Sequence, residues 1–290
     1  MLLAINRDKG PVAWMLEKTV SRQVGEGKQF EAALPNYGAF VFLGSCVALG
    51  LIEIVSRKPL PELHPWLAAP VASVQLSGAV LAGCALAAVR PSWRRPAGWV
   101  LVCLWLLATI ATLIAAAGDF SDPILWVPVS KAVVFTLSAM LIGTGKKPVY
   151  DALRVTFGLT LIFYGLVHLF EHAAISGMIP GWLPKVIPWP FITGGLLIGS
   201  GFSLVIGKAI RPAAIAIAAL FFSWILLLHI GRIAAKPESP FEWTFALSAL
   251  ALTGVAVLVA GQEPKACSSE RCAPEFALEE AIGTAAEGGG

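Results

Sequence analysis

Charged side chains are scarce in this sequence: they make up 13% of its 290 residues, whereas 57% are hydrophobic. A typical soluble domain carries roughly 25% charged residues. So few charges cannot cover the apolar surface of a soluble fold of this length, which excludes a cytosolic enzyme, a nucleic-acid-binding protein and a disordered chain. The composition therefore predicts a polytopic membrane protein whose first partner is the lipid bilayer.

Cysteine and known catalytic motifs are also sparse. Three of the five cysteines, Cys46, Cys84 and Cys103, lie in apolar stretches, where a thiol behaves as a small hydrophobic side chain. Cys267 and Cys272 form a single pair near the C-terminus, and one pair supplies only half of a structural zinc site. This pattern excludes a disulfide-stapled secreted domain. The sequence also has no Walker, dinucleotide-binding or nucleophile-elbow motif in a fitting context.

Long apolar runs are abundant instead. A helix needs about 20 mostly apolar residues to cross a bilayer, and every backbone polar group must be bonded inside the span. Eight stretches qualify: 37–55, 68–89, 97–117, 124–143, 151–174, 187–207, 212–233 and 241–261. The predicted fold class is therefore all-α, a polytopic integral membrane protein with eight transmembrane helices.

The segments outside these spans are polar. Residues 1–36 lack the apolar core of a cleaved signal peptide and are predicted to be a cytoplasmic segment. An apolar stripe within them fits either an interfacial helix on the membrane or a short soluble helix packed on the loops; it comprises Val12, Leu16, Val20 and Val24. Residues 263–290 end in three glycines and are predicted to be a disordered cytoplasmic tail.

Positive charge is distributed asymmetrically between the loops. If the N-terminus is cytoplasmic, fifteen of the 21 Lys and Arg residues fall on the inner side, five on the outer side, and Lys131 lies inside a span. Short loops rich in Lys and Arg stay in the cytoplasm. The sequence thus predicts a protein of the bacterial inner membrane with both termini in the cytoplasm.

The two halves of the chain resemble each other. A shift of 115 or 116 residues aligns Gly50 with Gly165 and Gly78 with Gly194, and further matches follow in the same order. The sequence therefore predicts a first four-helix repeat at 37–145 and a second at 146–262. Each repeat has an even number of spans, so both insert the same way up as parallel repeats.

The second half also has features of a known family. These are Gly158, Gly165, His168, the segment Ile179-Pro180-Gly181-Trp182-Leu183-Pro184, Thr193-Gly194-Gly195, and the glycines Gly199 and Gly201. In these features residues 151–261 resemble the DoxX-like family of four-helix membrane proteins, with a weaker resemblance over 37–143. The resemblance implies a tandem DoxX-like architecture. It further implies association with other subunits of a membrane redox complex, as in the DoxD-type subunit of thiosulfate:quinone oxidoreductase.

Ionisable residues inside the spans cost a few kcal/mol each and need a reason to be there. His168 lies 17 residues after Asp151, and His229 lies 17 residues after Pro212. At 1.5 Å per residue both are about 25 Å from the inner face. The polar groups of the spans are thus predicted to gather near the outer leaflet.

These groups form the predicted site. His168 and His172 are four residues apart and share a helical face beside Glu171, while His229 and Arg232 share another face. We predict a cofactor-binding set of His168, Glu171, His172, His229 and Arg232. Two cofactors fit it: a quinone that exchanges protons with imidazole, or a metal bound by His168, His172 and His229.

A purely structural interpretation of these residues also stays open, because the histidines can cap helix ends and Arg232 can extend to the headgroup region. If the set binds a cofactor, the protein is predicted to be a redox-complex subunit. The alternative is a non-catalytic scaffold for a partner protein, or a carrier of a small or lipidic solute. No residue is assigned a catalytic role. The glycines of the second span of each repeat are predicted to form close helix contacts: Gly78, Gly83, Gly194, Gly195, Gly199 and Gly201.

Overall fold

The computed structural model describes residues 35–60, 70–184 and 188–262, and the regular structure in these ranges is helical. Within these described ranges, eight helical spans are long and apolar enough to cross a membrane, which confirms the predicted number of spans. Six of them are α1 (Pro35–Ser56), α2 (Val71–Val89), α3 (Arg94–Ala116), α5 (Lys147–Phe170), α7 (Trp189–Ile206) and α10 (Pro240–Gly261).

The other two spans are composite. A short 3-10 turn, Pro123–Leu125, leads into α4 (Trp126–Thr144). The seventh span joins α8 (Ile210–Trp224), a π-helical turn (Ile225–His229) and α9 (Ile230–Ala235). A short helix, α6 (His172–Gly177), follows α5. The predictions for the N-terminal segment before residue 35, the tail, and the pair Cys267 and Cys272 lie outside the described residues.

Glycine allows the backbones of α5 and α7 to touch along an antiparallel seam. A Cβ atom on Gly201 would lie 2.5 Å from the carbonyl oxygen of Gly158, and one on Gly165 would lie 2.7 Å from that of Gly194. Real Cβ atoms do not approach so closely, so only glycine fits. The same kind of contact joins α1 and α2, where a Cβ on Gly78 would lie 2.5 Å from the carbonyl oxygen of Gly50.

The remaining glycines predicted to lie in helix contacts do not. A Cβ atom on Gly83, Gly195 or Gly199 would meet nothing within 4 Å. The GxxxG pattern at residues 195–199 is therefore turned away from the packed seam. The seam instead uses glycines seven residues apart, 158 with 165 and 194 with 201, because two helical turns return a residue to nearly the same face.

Helix α10 is the most enclosed span, with 72% of its most apolar stretch buried, against 44% or less in the others. It packs on α1 through a close contact between Gly254 and Gly38, and it also packs on α8. The Tyr150 hydroxyl of α5 donates to the Val259 carbonyl oxygen at 3.5 Å. The last span thus joins the start of the chain to its second half, and one continuous apolar core includes residues from both halves.

Polar side chains of the first half form hydrogen bonds between packed segments. The Glu53 side chain is fully buried; its Oε2 accepts from the Ser77 hydroxyl at 2.9 Å and its Oε1 accepts from the Leu60 amide at 3.3 Å. The Gln75 amide donates to the Ile54 carbonyl oxygen at 3.2 Å. These hydrogen bonds tie α1 to α2 and to the loop that follows α1.

The two ends of the bundle differ in their polar contacts. We call the end at which α1, α3, α5 and α9 finish the distal end, and the opposite end the proximal end. At the proximal end, Arg154 donates to the Leu204 and Val205 carbonyl oxygens at the end of α7. Arg211 donates to the Ala260 carbonyl oxygen near the end of α10 at 3.3 Å. Basic side chains thereby bond carbonyls that the helices leave unpaired.

Candidate functional site

A cavity of about 500 Å³ lies in the distal half of the bundle between α4, α5, α7, α8 and α10. Its wall is mostly apolar, and the ionisable side chains on it are Lys131, His168, Glu171, His229 and Arg232. Ile124, Met178 and Phe241 line it near the distal end and are exposed, so it opens there. Its volume is within the roughly 300–1,000 Å³ of small-molecule sites.

His168 occupies the last turn of α5 and is fixed on both sides. Its Nδ1 lies 2.7 Å from the Tyr164 carbonyl oxygen, and its ring stacks on Trp224 of α8 with centroids 5.4 Å apart and planes 9° apart. A carbonyl oxygen only accepts, so Nδ1 carries the hydrogen and the Nε2 atom of the neutral ring is an acceptor. The imidazole is therefore held in one orientation on the cavity wall.

His229 ends the π-helical turn of the seventh span. Its ring stacks on Phe245 of α10, with centroids 6.4 Å apart, and its Nδ1 atom is buried without a hydrogen-bond partner. A buried polar atom without a partner is costly, and this Nδ1 atom gains one only if the ring or its neighbours move. Single π-helical turns occur frequently at functional sites because they turn a side chain out of the regular helical register.

Arg232 is held by an ion pair. Its Nε donates to Glu242 Oε2 at 2.7 Å and its Nη2 donates to Glu242 Oε1 at 3.1 Å, which joins α9 to the first turn of α10. The side chains are 35% and 11% exposed. Sequence reasoning missed Glu242, since its pairing depends on the turn between α9 and α10.

We expect the Arg232–Glu242 pair to stabilise the distal end. Arg232→Gln should lower the free energy of unfolding by about 1–3 kcal/mol, because it leaves a mostly buried carboxylate without its cation. Arg232→Lys should recover part of this, since an ammonium group keeps the positive charge but lacks the planar geometry in which two nitrogens donate to one carboxylate. Thermal unfolding of the protein in detergent measures the effect.

The chain offers a matched control pair at its proximal end. Lys147 and Asp151 form an ion pair at 2.8 Å, with side chains 69% and 43% exposed. Lys147→Gln should cost less than about 1 kcal/mol, because exposed pairs contribute little. Equal losses for Lys147→Gln and Arg232→Gln would contradict a special role of the distal pair.

The structure separates His172 from the other predicted site residues. Helix α5 ends at Phe170, and Glu171 adopts non-helical angles (φ −96°, ψ 28°), so His168 and His172 do not share one continuous helical face. His172 is exposed, its ring packs against Phe191 of α7, and it does not line the cavity, whereas Glu171 does. The structure therefore does not place His172 beside His168 on the cavity wall.

This break also affects the predicted metal site. Within residues 35–60, 70–184 and 188–262, no group of three or more His, Cys, Asp or Glu side chains is close enough to hold a metal ion. The described residues therefore do not form the expected site with His168, His172 and His229 as ligands.

Lys131 adds a residue from the first half to the cavity. It lies on α4, is 6% exposed, and its Nζ is 5.9 Å from the centroid of the Phe245 ring. Its position inside a span marked it as unusual, but the sequence could not show that it faces the two histidines. The cavity is thus built by both halves of the chain.

Comparisons with protein-family models, with curated proteins and with solved structures give no match.

Proposed function

We propose that the protein is a membrane subunit of a redox complex and that the distal cavity binds the head group of a quinone. The observation that carries this proposal is the pairing of an apolar cavity of about 500 Å³ with two imidazoles, each stacked on an aromatic ring. A flat, mostly apolar ring with polar atoms at its edge fits such a site. His229 lines the cavity, which supports a polar contact between its ring and the ligand.

The residues have distinct roles in this proposal. Reduction of a quinone adds two electrons and places one proton on each carbonyl oxygen. His229, in its imidazolium form, donates a hydrogen bond and then a proton to one carbonyl oxygen, and it regains a proton from water. Water at the open distal end supplies the proton for the other carbonyl oxygen. The Lys131 cation stabilises negative charge that develops on the ring. Trp224 and Tyr164 fix the orientation of His168. The electrons come from an electron-donating partner protein of the complex.

The proposal includes a tandem DoxX-like architecture with repeats at 37–145 and 146–262. Two close contacts support it: Gly50 with Gly78 in the first half and Gly165 with Gly194 in the second. The sequence shift of 115 or 116 residues relates these contacts to each other. We further propose that the proximal end faces the cytoplasm of a bacterial inner membrane, in agreement with the distribution of Lys and Arg. The cavity then opens on the outer side.

Quinone binding by the purified protein tests this function. The protein is expected to bind ubiquinone or menaquinone saturably in lipid nanodiscs, and the binding should be lost in the double variant His168→Ala/His229→Ala. Quenching of intrinsic tryptophan fluorescence gives the readout, because Trp224 lines the cavity. If the wild-type protein binds neither quinone, the proposal is wrong, and the scaffold or solute-carrier interpretation takes its place.

A further inference from the structure

A second depression lies on the membrane-facing side of the same helix pair that borders the cavity. This groove has a volume of about 320 Å³ and follows the seam between α4 and α5. Trp126 and Val133 mark its ends on α4, and Leu159, Thr160 and Phe163 line it on α5. Seven residues of helix between Trp126 and Val133 correspond to about 10 Å. The groove therefore runs from near the distal end toward the middle of the span.

The groove and the cavity lie on opposite sides of one seam. On α4, Ser130 faces the groove while Val127 and Lys131 face the cavity; on α5, Phe163 faces the groove while Tyr164 faces the cavity. Neighbouring residues of the same two helices thus line the two spaces. The seam between them is narrow.

A tyrosine side chain bridges the seam. The Tyr164 hydroxyl donates to the Val127 carbonyl oxygen at 3.2 Å, and the Ser130 hydroxyl donates to the Tyr164 hydroxyl oxygen at 3.4 Å. The second contact is long for a bond between hydroxyl groups. Tyr164 is 7% exposed and packs in the apolar core, so its side chain would have to turn and break these hydrogen bonds before the groove could connect to the cavity.

We infer that the α4–α5 groove holds the prenyl tail of a lipidic quinone whose head group lies in the cavity, and that Tyr164 closes the passage between them. This inference rests on the proposed function. A long prenyl tail is insoluble in water, so a head group in the cavity needs a path to hydrocarbon. The groove provides an apolar surface that faces lipid, and the Tyr164 side chain lies between the groove and the cavity. Leu159 on the wall of the groove is 54% exposed.

The experiment compares quinones with and without a tail. Ubiquinone and menaquinone with prenyl tails, and the same two head groups without tails, are titrated into wild-type protein and into Leu159→Trp, whose indole fills the groove. Leu166→Trp is the control, because Leu166 is a 40% exposed residue of α5 that lines neither space. Leu159→Trp is expected to weaken binding of the tailed quinones about tenfold or more. Binding of the tailless head groups should stay unchanged.

Two results separate this inference from the proposed function. If Leu159→Trp binds tailed and tailless quinones as the wild type does, the tail does not lie in the groove, although the cavity still binds the head group. If the wild type binds no quinone at all, the proposed function fails and the tail site fails with it.

A second measurement needs no variant. A menaquinone with a photoreactive diazirine on its tail is irradiated with the wild-type protein, and the labelled peptides are identified by mass spectrometry. Labels within 126–133 or 156–163 are expected, and labels confined to other parts of the chain would overturn the inference. In Tyr164→Phe, which lacks the hydroxyl of the bridge, tailed quinones should associate several-fold faster than with wild type. An unchanged rate would exclude Tyr164 as the closing residue.

Discussion

His229→Ala is expected to lower quinone turnover by about 10²–10⁴-fold, the range usual for loss of a positioned proton donor. The imidazole stacks on Phe245 and lines the cavity. Alanine removes both the hydrogen bond to the ligand and the group that transfers the proton. Turnover is measured as quinone-dependent electron transfer in membranes that contain the complete redox complex.

His172→Ala is the matched control for this variant. It removes the same kind of side chain from the same end of the bundle, but His172 is exposed and lies outside the cavity. Its turnover should equal that of the wild type. His168→Ala is expected to weaken binding of the reduced quinol at least about tenfold, because the quinol hydroxyl can donate to the Nε2 acceptor of His168. Equal activity of the His229→Ala and His172→Ala variants would contradict the assignment of the cavity as the reactive site.

The double variant Gly165→Ala/Gly201→Ala should lose about 2–6 kcal/mol of stability, the sum of two overpacked positions at roughly 1–3 kcal/mol each. Each new methyl group would lie within 2.7 Å of a carbonyl oxygen of the facing helix. Helices α5 and α7 must then move apart and lose their backbone contact. Thermal unfolding in detergent measures the loss.

A second double variant isolates the cause. Gly195→Ala/Gly199→Ala also introduces two methyl groups, both on α7, at positions where a Cβ atom meets nothing within 4 Å. Alanine is the better helix former, so this variant should be as stable as wild type or slightly more stable. If both double variants unfold at the same temperature, the close approach of α5 and α7 does not limit stability.

The sequence is a good guide to the spans because bilayer thickness sets their length. The predicted span 124–143 corresponds to Pro123–Thr144 in the structure, and 241–261 corresponds to Pro240–Gly261. The largest error of the sequence-based prediction is the span 151–174, because the observed helix ends at Phe170. Residues 171–174 contain neither glycine nor proline that would predict a break.

The side-chain pairs of the site could not be predicted in the same way. The stacking of His168 on Trp224 and the pairing of Arg232 with Glu242 depend on how each helix is rotated about its own axis. Hydropathy defines where a helix lies in the membrane, but it does not define that rotation when most faces are apolar. The same ambiguity explains why the GxxxG pattern of α7 was assigned to a helix contact that the structure does not contain.

The arginines at the proximal end affect how the orientation of the protein can be tested. A usual topology experiment neutralises positive charges and asks whether the protein inverts during insertion. Replacing Arg154 or Arg211 would also remove the donors to the carbonyl oxygens at the ends of α7 and α10. Such a change would alter membrane insertion and would also remove hydrogen bonds at helix ends of the folded protein, so the two effects could not be separated. Arg95 and Lys146, which are exposed residues of the same end, are therefore the positions at which charge alone can be varied.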